Sequence, residues 1–342
     1  MQIEELWKSL EADAASGHSG TGGWLLRLAR PAADHPLFVG LELSSGRRAI
    51  LLQLPTDYMP SRRLWPRSKG LEPLAVALDG NAHFGVALKD SRFTDVFTAL
   101  AEDLCRRVTE TADPASQARA FLGQLARWQK FLSASVEGLN DETQRGLWGE
   151  LRFLRDHLLS WTGAAAVKAW KGGERLHQDF QFEGVAIEVK TTLAKMPQVI
   201  RITNERQLDH TTWSALFLNV IALDVRDAGG ETLPAMVASL RDRLTADAIA
   251  REQFEDELLL AGYLDAHTPR YIDRGYTVRS VTFFHVGPGF PSLIEADMPP
   301  GVGDANYALS ISACERFKVK ATELESALAG QTPPRAKRRG RA

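Results

Sequence analysis

Asp179-Phe180-Gln181-Phe182-Glu183-Gly184-Val185-Ala186-Ile187-Glu188-Val189-Lys190 reads as a β-hairpin, two runs of strand-forming residues around a Glu-Gly turn. With a two-residue turn, Phe182 pairs with Val185, Gln181 with Ala186 and Phe180 with Ile187, and Asp179 falls opposite Glu188. Carboxylates in that cross-strand position repel, which makes physical sense when a cation lies between them. Alternation puts Val185, Ile187 and Val189 on one face and Ala186, Glu188 and Lys190 on the other, so Glu188 and Lys190 point the same way. A three-residue turn would shift the register and weaken the Asp179–Glu188 pairing, but not that shared face. The competing reading is a solvated strand face of mixed charge.

Upstream, the pattern from about Glu142 to Leu159 predicts a helix, with Asp141 as N-cap and Gln144 as its capping-box partner. Its apolar stripe is Leu147, Leu151, Leu154 and Leu158, and Glu150 lies beside that stripe. A carboxylate there is costly unless paired, hydrogen-bonded or metal-bound; the bland alternative is that it reaches water at the stripe's edge. Lys168, Lys171 and Arg175, in the glycine-bearing loop before Asp179, could meet phosphates or simply be solvated. Downstream, Val199–Thr203 reads as a strand and Asn204 as the N-cap of a following helix that carries Gln207. The segment from Asp141 to Val220 thus has the element order of a compact mixed α/β unit.

Further out, short β-rich runs from Trp24 to Leu88 predict a small antiparallel unit, and helices follow around Val96–Val108 and Ala115–Val136, broken at Asp113-Pro114. Asp227-Ala228-Gly229-Gly230-Glu231 reads as a solvated turn. After it, Pro234–His267 is helical by pattern, and Tyr276–His285 and Tyr307–Ile311 read as strands. The expected division is a β-rich domain with its connecting helix over 1–112, a core over 113–226, an α/β region over 227–330 and a basic disordered tail over 331–342.

The 342 residues, 44% hydrophobic, suffice for a buried core. No apolar run approaches the roughly 18 residues of a membrane span, and Met1 to Gly17 is acidic and amphipathic, unlike an export signal. The chain reads as soluble and cytoplasmic. A net charge of −2 gives no global attraction to nucleic acid, so any polyanion site must be local. Arg335, Lys337, Arg338, Arg339 and Arg341 form one basic cluster, either an arm that touches phosphate or a solubilising terminus. Cys105 and Cys314 lack ligand-spaced neighbours and read as buried small hydrophobes. His177 would fall near Lys190 across the hairpin, though a lone histidine is more often structural or exposed. Trp148, Trp161 and Trp170 read as core, and Gly287-Pro288-Gly289 as a turn without the context of a nucleotide loop.

Glu150 on a helix, Asp179 at a strand end and Glu188-Val189-Lys190 resemble the PD-(D/E)XK nuclease superfamily. Glu-X-Lys alone is a weak signal. The ordered series Gly146-Leu147-Trp148-Gly149-Glu150-Leu151, Asp179-Phe180, Glu188-Val189-Lys190-Thr191-Thr192 and Glu205-Arg206-Gln207-Leu208 is stronger, and is similar to a branch found in restriction-like bacterial defence operons over most of the chain. Gln178 stands where the motif has proline. The resemblance implies a mixed α+β fold, a PD-(D/E)XK core flanked by an N-terminal β-rich domain and a C-terminal α/β extension. It also implies a DNA endonuclease using Mg²⁺, or Mn²⁺, in restriction or antiphage defence. Asp179, Glu188 and the Val189 carbonyl would hold the ion, with Glu150 completing that site or a second one. Lys190 would bind the attacking water or the phosphate, and Gln207 would support the site or touch DNA. Implied partners are DNA, ATPase or helicase and methyltransferase subunits, and a second copy as a homodimer. The alternative is a non-catalytic DNA-binding or assembly subunit of a defence complex. A carboxylate-pair glycosidase is disfavoured, because it leaves Lys190 without a role.

Overall fold

Hydrophobic periodicity accounts for most elements of the computed structural model, which describes residues 3–29, 36–65, 70–111, 113–134, 138–172, 177–227 and 229–330. They belong to two units, Met1–Glu137 and Gly138–Ala342. Arg175, Ala228 and the basic tail lie outside the described residues.

In the first unit, α1 (Ile3–Ala15) buries Ile3, Leu6, Trp7 and Leu10, the spacing of one helical face. Strands β1 (Trp24–Leu28), β2 (Leu37–Glu42), β3 (Arg48–Leu54), β4 (Leu71–Leu78) and β5 (Asn81–Leu88) form an antiparallel sheet in the order β1-β2-β3-β5-β4. Asp79-Gly80 closes β4 on β5 with φ of 49° and 77°, the left-handed pair that a tight hairpin demands. Helices α2 (Thr94–Thr109) and α3 (Pro114–Ala134) follow, the second with Pro114 leading and Ser116 N donating to Asp113 Oδ1.

The second unit opens with α4 (Asp141–Phe153), a π-helical turn at Leu154–Leu158, α5 (Leu159–Thr162) and α6 (Ala165–Ala169). Next come β6 (Phe180–Gln181), β7 (Val185–Thr192), β8 (Val199–Ile202), a 3₁₀ turn at Glu205–Leu208, β9 (Ala215–Asp227), β10 (Glu231–Thr232), α7 (Leu233–Arg243) and α8 (Ala248–Leu260). The unit ends with β11 (Arg274–Val286), β12 (Tyr307–Ser310), β13 (Lys318–Val319) and α9 (Ala321–Leu328). The main sheet runs β10-β11-β9-β7-β6, with β13 on β11; β7 and β9 are parallel and the other pairs antiparallel. Strand β9 is buried on both faces through Leu223, as a central strand should be. Ile187, Val189, Phe217 and Ile221 pack in one core with Leu147 and Leu151 of α4 and Leu154 of the π turn. Ala186, Leu216, Leu218 and Val220 join a second core with Ile200 and Ile202 of β8 and Leu309 of β12.

Helix α4 lies so close to β7 that a Cβ on Gly149 would overlap Thr191 Cγ2. All four leucines of the predicted stripe are buried. The cap differs from expectation: Asn140, not Asp141, accepts from Glu142 N (3.0 Å) and Thr143 N (2.9 Å), because Asp141 is already inside the helix. The π turn also interrupts what the pattern reads as one helix. Arg155 within it pairs with Asp156 and Glu231, and Arg243 Nη1 donates to the Arg155 carbonyl (2.9 Å).

The units fall differently from the expected 1–112, 113–226 and 227–330. Helix α3 lies in the first unit, and β11 completes the sheet through a long ladder to β9, so the residues beyond the Gly229-Gly230 turn are not separate from those before it. Gly287 O accepts from Phe290 N, with Gly289 at φ 81°, which makes the expected turn. Cys105 and Cys314 are buried, as expected. Among the described residues no helix is long and apolar enough to cross a membrane.

Candidate active site

The hairpin closes on two residues. Phe182 N donates to Val185 O (2.8 Å), Gln181 pairs with Ala186 and Phe180 with Ile187. Gly184 takes φ 74°, where a side chain would be strained. One residue further, this register sets Asp179 opposite Glu188. There the ladder ends: Asp179 O accepts from Lys171 N (2.7 Å) and Trp170 bridges to Phe180. Val189 N–H, deprived of a strand partner, donates instead to Asp179 Oδ2 (2.7 Å). A strand residue's N–H and C=O leave on the same side, so the Val189 carbonyl also faces the Asp179 edge.

Glu188 and Lys190 share a face, as alternation requires, and Lys190 Nζ lies 2.6 Å from Glu188 Oε1 with side chains 17% and 1% exposed. Beyond that ion pair the carboxylate is steadied only weakly, by the Asp179 backbone N–H. Lys190 Nζ also donates to Gln207 Oε1 (3.2 Å). The same oxygen accepts from Thr203 N (2.9 Å) and Thr203 Oγ1 (3.1 Å), which fixes the end of the amide that faces the lysine. Gln207 sits in the four-residue 3₁₀ turn rather than on a longer helix, and Asn204 makes no side-chain cap, so that expectation is corrected.

Glu150 comes to the site from α4. Trp170 Nε1 donates to its Oε2 (2.9 Å), and a Cβ on Gly172 would overlap that oxygen. Trp148 and Trp170 are core residues, as expected, and Trp161 is half-buried against the core. The indole link from Trp170 to Glu150 was missed by the sequence reading; its only trace there is a glycine two residues after a tryptophan. Lys168 and His177 are exposed.

Burial drives the electrostatics. It pushes Glu188 up to about 8, helped by the Asp179 charge and opposed by Lys190. Burial, then the Asp179 and Glu188 charges, hold Glu150 well above the usual carboxylate range. Asp179 is raised by burial against the pull of Lys190 and the Val189 N–H. For Lys190 the desolvation that would lower it is outweighed by Glu188 and Asp179, so it remains an ammonium group. Perturbed acids beside a buried lysine are a mark of functional sites.

Among the described residues no three His, Cys, Asp or Glu side chains stand in position to share one ion. The reason is local. Each acid already has a protein partner: Trp170 for Glu150, the Val189 N–H for Asp179 and Lys190 for Glu188. Mutual repulsion favours such separate satisfaction. A divalent ion of the Mg²⁺ class needs only one or two carboxylates and keeps several waters. Asp179, Glu188 and the Val189 carbonyl fit that requirement, since Glu188 is a fully buried carboxylate steadied only by the lysine and, more weakly, by the Asp179 backbone N–H.

A family model described as "Putative PD-(D/E)XK family member, (DUF4420)" matches residues 3–312. No curated protein and no solved structure matches the chain.

Proposed function

This chain belongs to the DUF4420 family of the PD-(D/E)XK type, and on that premise we propose that it is a nuclease that hydrolyses DNA phosphodiester bonds with Mg²⁺ or Mn²⁺. The observation that carries the reading is the Glu188–Lys190 pair, the acid buried and the lysine half-buried, across the strand edge from Asp179. A divalent ion held by Asp179, Glu188 and the Val189 carbonyl would supply positive charge at the scissile phosphate and acidify the attacking water. The chain's own groups do the rest. Lys190, a compact cation steadied by Glu188 and Gln207, would bind the attacking water or a phosphate oxygen. Glu150, held by Trp170, would complete this site or a second one and order water beside it. Raised acids and low exposure favour binding a cation over leaving the carboxylates charged and alone.

The reading extends to a cytoplasmic role in restriction or antiphage defence, beside ATPase or helicase and methyltransferase subunits, with a homodimer as one assembly. Incubation of the purified chain with supercoiled plasmid and Mg²⁺ tests the core of it. Nicking that EDTA and Lys190→Ala both abolish is the expected result. DNA binding without nicking, with or without such partners, would point instead to a non-catalytic assembly subunit.

A further inference from the structure

The residue ahead of Asp179 is Gln178, where the PD-(D/E)XK motif has proline. It is 4% exposed, and its amide is in use at both ends. Nε2 donates to Arg206 O (2.7 Å) and reaches Gln207 O (3.4 Å), while Oε1 accepts from Gln181 Nε2 (3.3 Å). Gln207 is the residue whose side-chain oxygen meets the Lys190 ammonium. We propose that Gln178 is a positioning residue for Lys190, acting by tying the strand end that carries Asp179 to the turn that carries Gln207.

Lys190 is the mobile member of this arrangement. Its four-carbon stem and freely rotating ammonium do not fix their own direction, so Lys190 stands where its partners put it. Glu188 supplies one anchor and Gln207 the other. Glu188 is embedded in β7, but Gln207 lies on a four-residue 3₁₀ turn, a form with poor internal hydrogen-bond geometry. The last carbonyls of such a turn need outside donors. Asp209 N gives Arg206 O a 3.3 Å bond; the 2.7 Å bond comes from Gln178. From the other side, Thr203 fixes the Gln207 amide. Gln178 and Thr203 thus hold backbone and side chain of one residue, and that residue holds the lysine. Proline has no donor and could not make this link. A glutamine at this position therefore adds a connection between the two halves of the site instead of merely filling the motif's slot.

The rate arm of the test rests on the nuclease reading; the spectroscopic arm does not. Gln178→Met keeps length and volume and deletes the donor, and Gln178→Glu turns an acceptor toward the two carbonyls. In ¹⁵N-lysine-labelled full-length protein, free of DNA, the Lys190 Nζ resonance, assigned by its loss in Lys190→Arg, should shift or broaden in both variants. The Mn²⁺-induced thermal shift should be retained, since Asp179 and Glu188 are untouched. On cleavable DNA, kcat should fall about tenfold or more with KM within about twofold, the signature of a misplaced reacting group. If Gln178→Met does not fold, Gln178→Glu carries the same readings. A folded variant whose Lys190 resonance matches wild type overturns the proposal, whatever the protein cleaves. A displaced resonance in a protein that cleaves nothing upholds the positioning and removes the nuclease reading alone.

Discussion

Glu188 has a carboxyl pushed up to about 8 by burial and by the Asp179 charge, against an ordinary value of 4.5. Between those values the folded chain keeps a proton that the unfolded chain has released. The stability this contributes is complete below the ordinary value and is lost as pH rises through about 8. Metal-free protein should therefore lose stability relative to Glu188→Gln as pH is raised from about 5 to about 9, read from urea midpoints. Parallel pH profiles would contradict the burial of that carboxyl. Trp170→Phe keeps the ring in the core and removes the donor to Glu150. Single-turnover cleavage, or the Mg²⁺ concentration it requires, should worsen about 10- to 100-fold, as for other groups that orient a ligand; unchanged kinetics would strip Trp170 of that role. Asp179, Glu188 and Lys190 were legible in the sequence because strand alternation and a two-residue turn are local rules. The Trp170 and Gln178 links were not, since a side chain's partner 20 or 28 residues away depends on the finished fold.

The pairing of α4 with β7 brings Glu150 to the hairpin, and it depends on Gly149. Gly149→Ala improves helix propensity by up to about 1 kcal/mol, yet its methyl meets Thr191, a β-branched residue with little χ1 freedom. A net loss of about 1–2 kcal/mol is expected, the overpacking cost exceeding the propensity gain. In a Thr191→Ser background the offending methyl is gone, and Gly149→Ala should become neutral or stabilising. Urea unfolding of the four proteins in this cycle checks the sign; equal effects in both backgrounds would show that the helix does not rest on Thr191. The leucine stripe of α4 announced its buried face because 3.6-residue periodicity is written in sequence. The π turn after it was hidden: no proline or glycine marks it, and it is accompanied by Arg243 at the Arg155 carbonyl, a contact between residues 88 apart. The turn at Glu205–Leu208 misled for a related reason, since Asn204 looks like a cap whether the helix continues or stops after four residues.

Across the whole chain, the near-neutral charge of −2 leaves no broad field to draw in a polyanion, so the five basic residues from Arg335 to Arg341 should matter out of proportion to their number. Removing residues 331–342 is expected to weaken duplex binding and lower the magnitude of the slope of log affinity against log salt by up to about 4.5. The cleavage rate at saturating DNA should not change. An unaltered salt slope would make the tail a solubilising terminus only. The strand pattern foretold the antiparallel N-terminal sheet and several strands of the second unit, but it could not say that β11 pairs with β9 across the glycine turn, because long-range pairing is decided by which buried faces meet rather than by local pattern. On the proposed reading, Asp179, Glu188 and the Val189 carbonyl together prefer a divalent ion. Crystals of the full chain grown with Mn²⁺ test it most directly. The expected result is an anomalous peak about 2.0–2.3 Å from an Asp179 oxygen, a Glu188 oxygen and the Val189 carbonyl, with waters filling the remaining positions. Well-ordered acids with Lys190 still closed on Glu188, and no peak between Asp179 and Glu188 at saturating Mn²⁺, would contradict it.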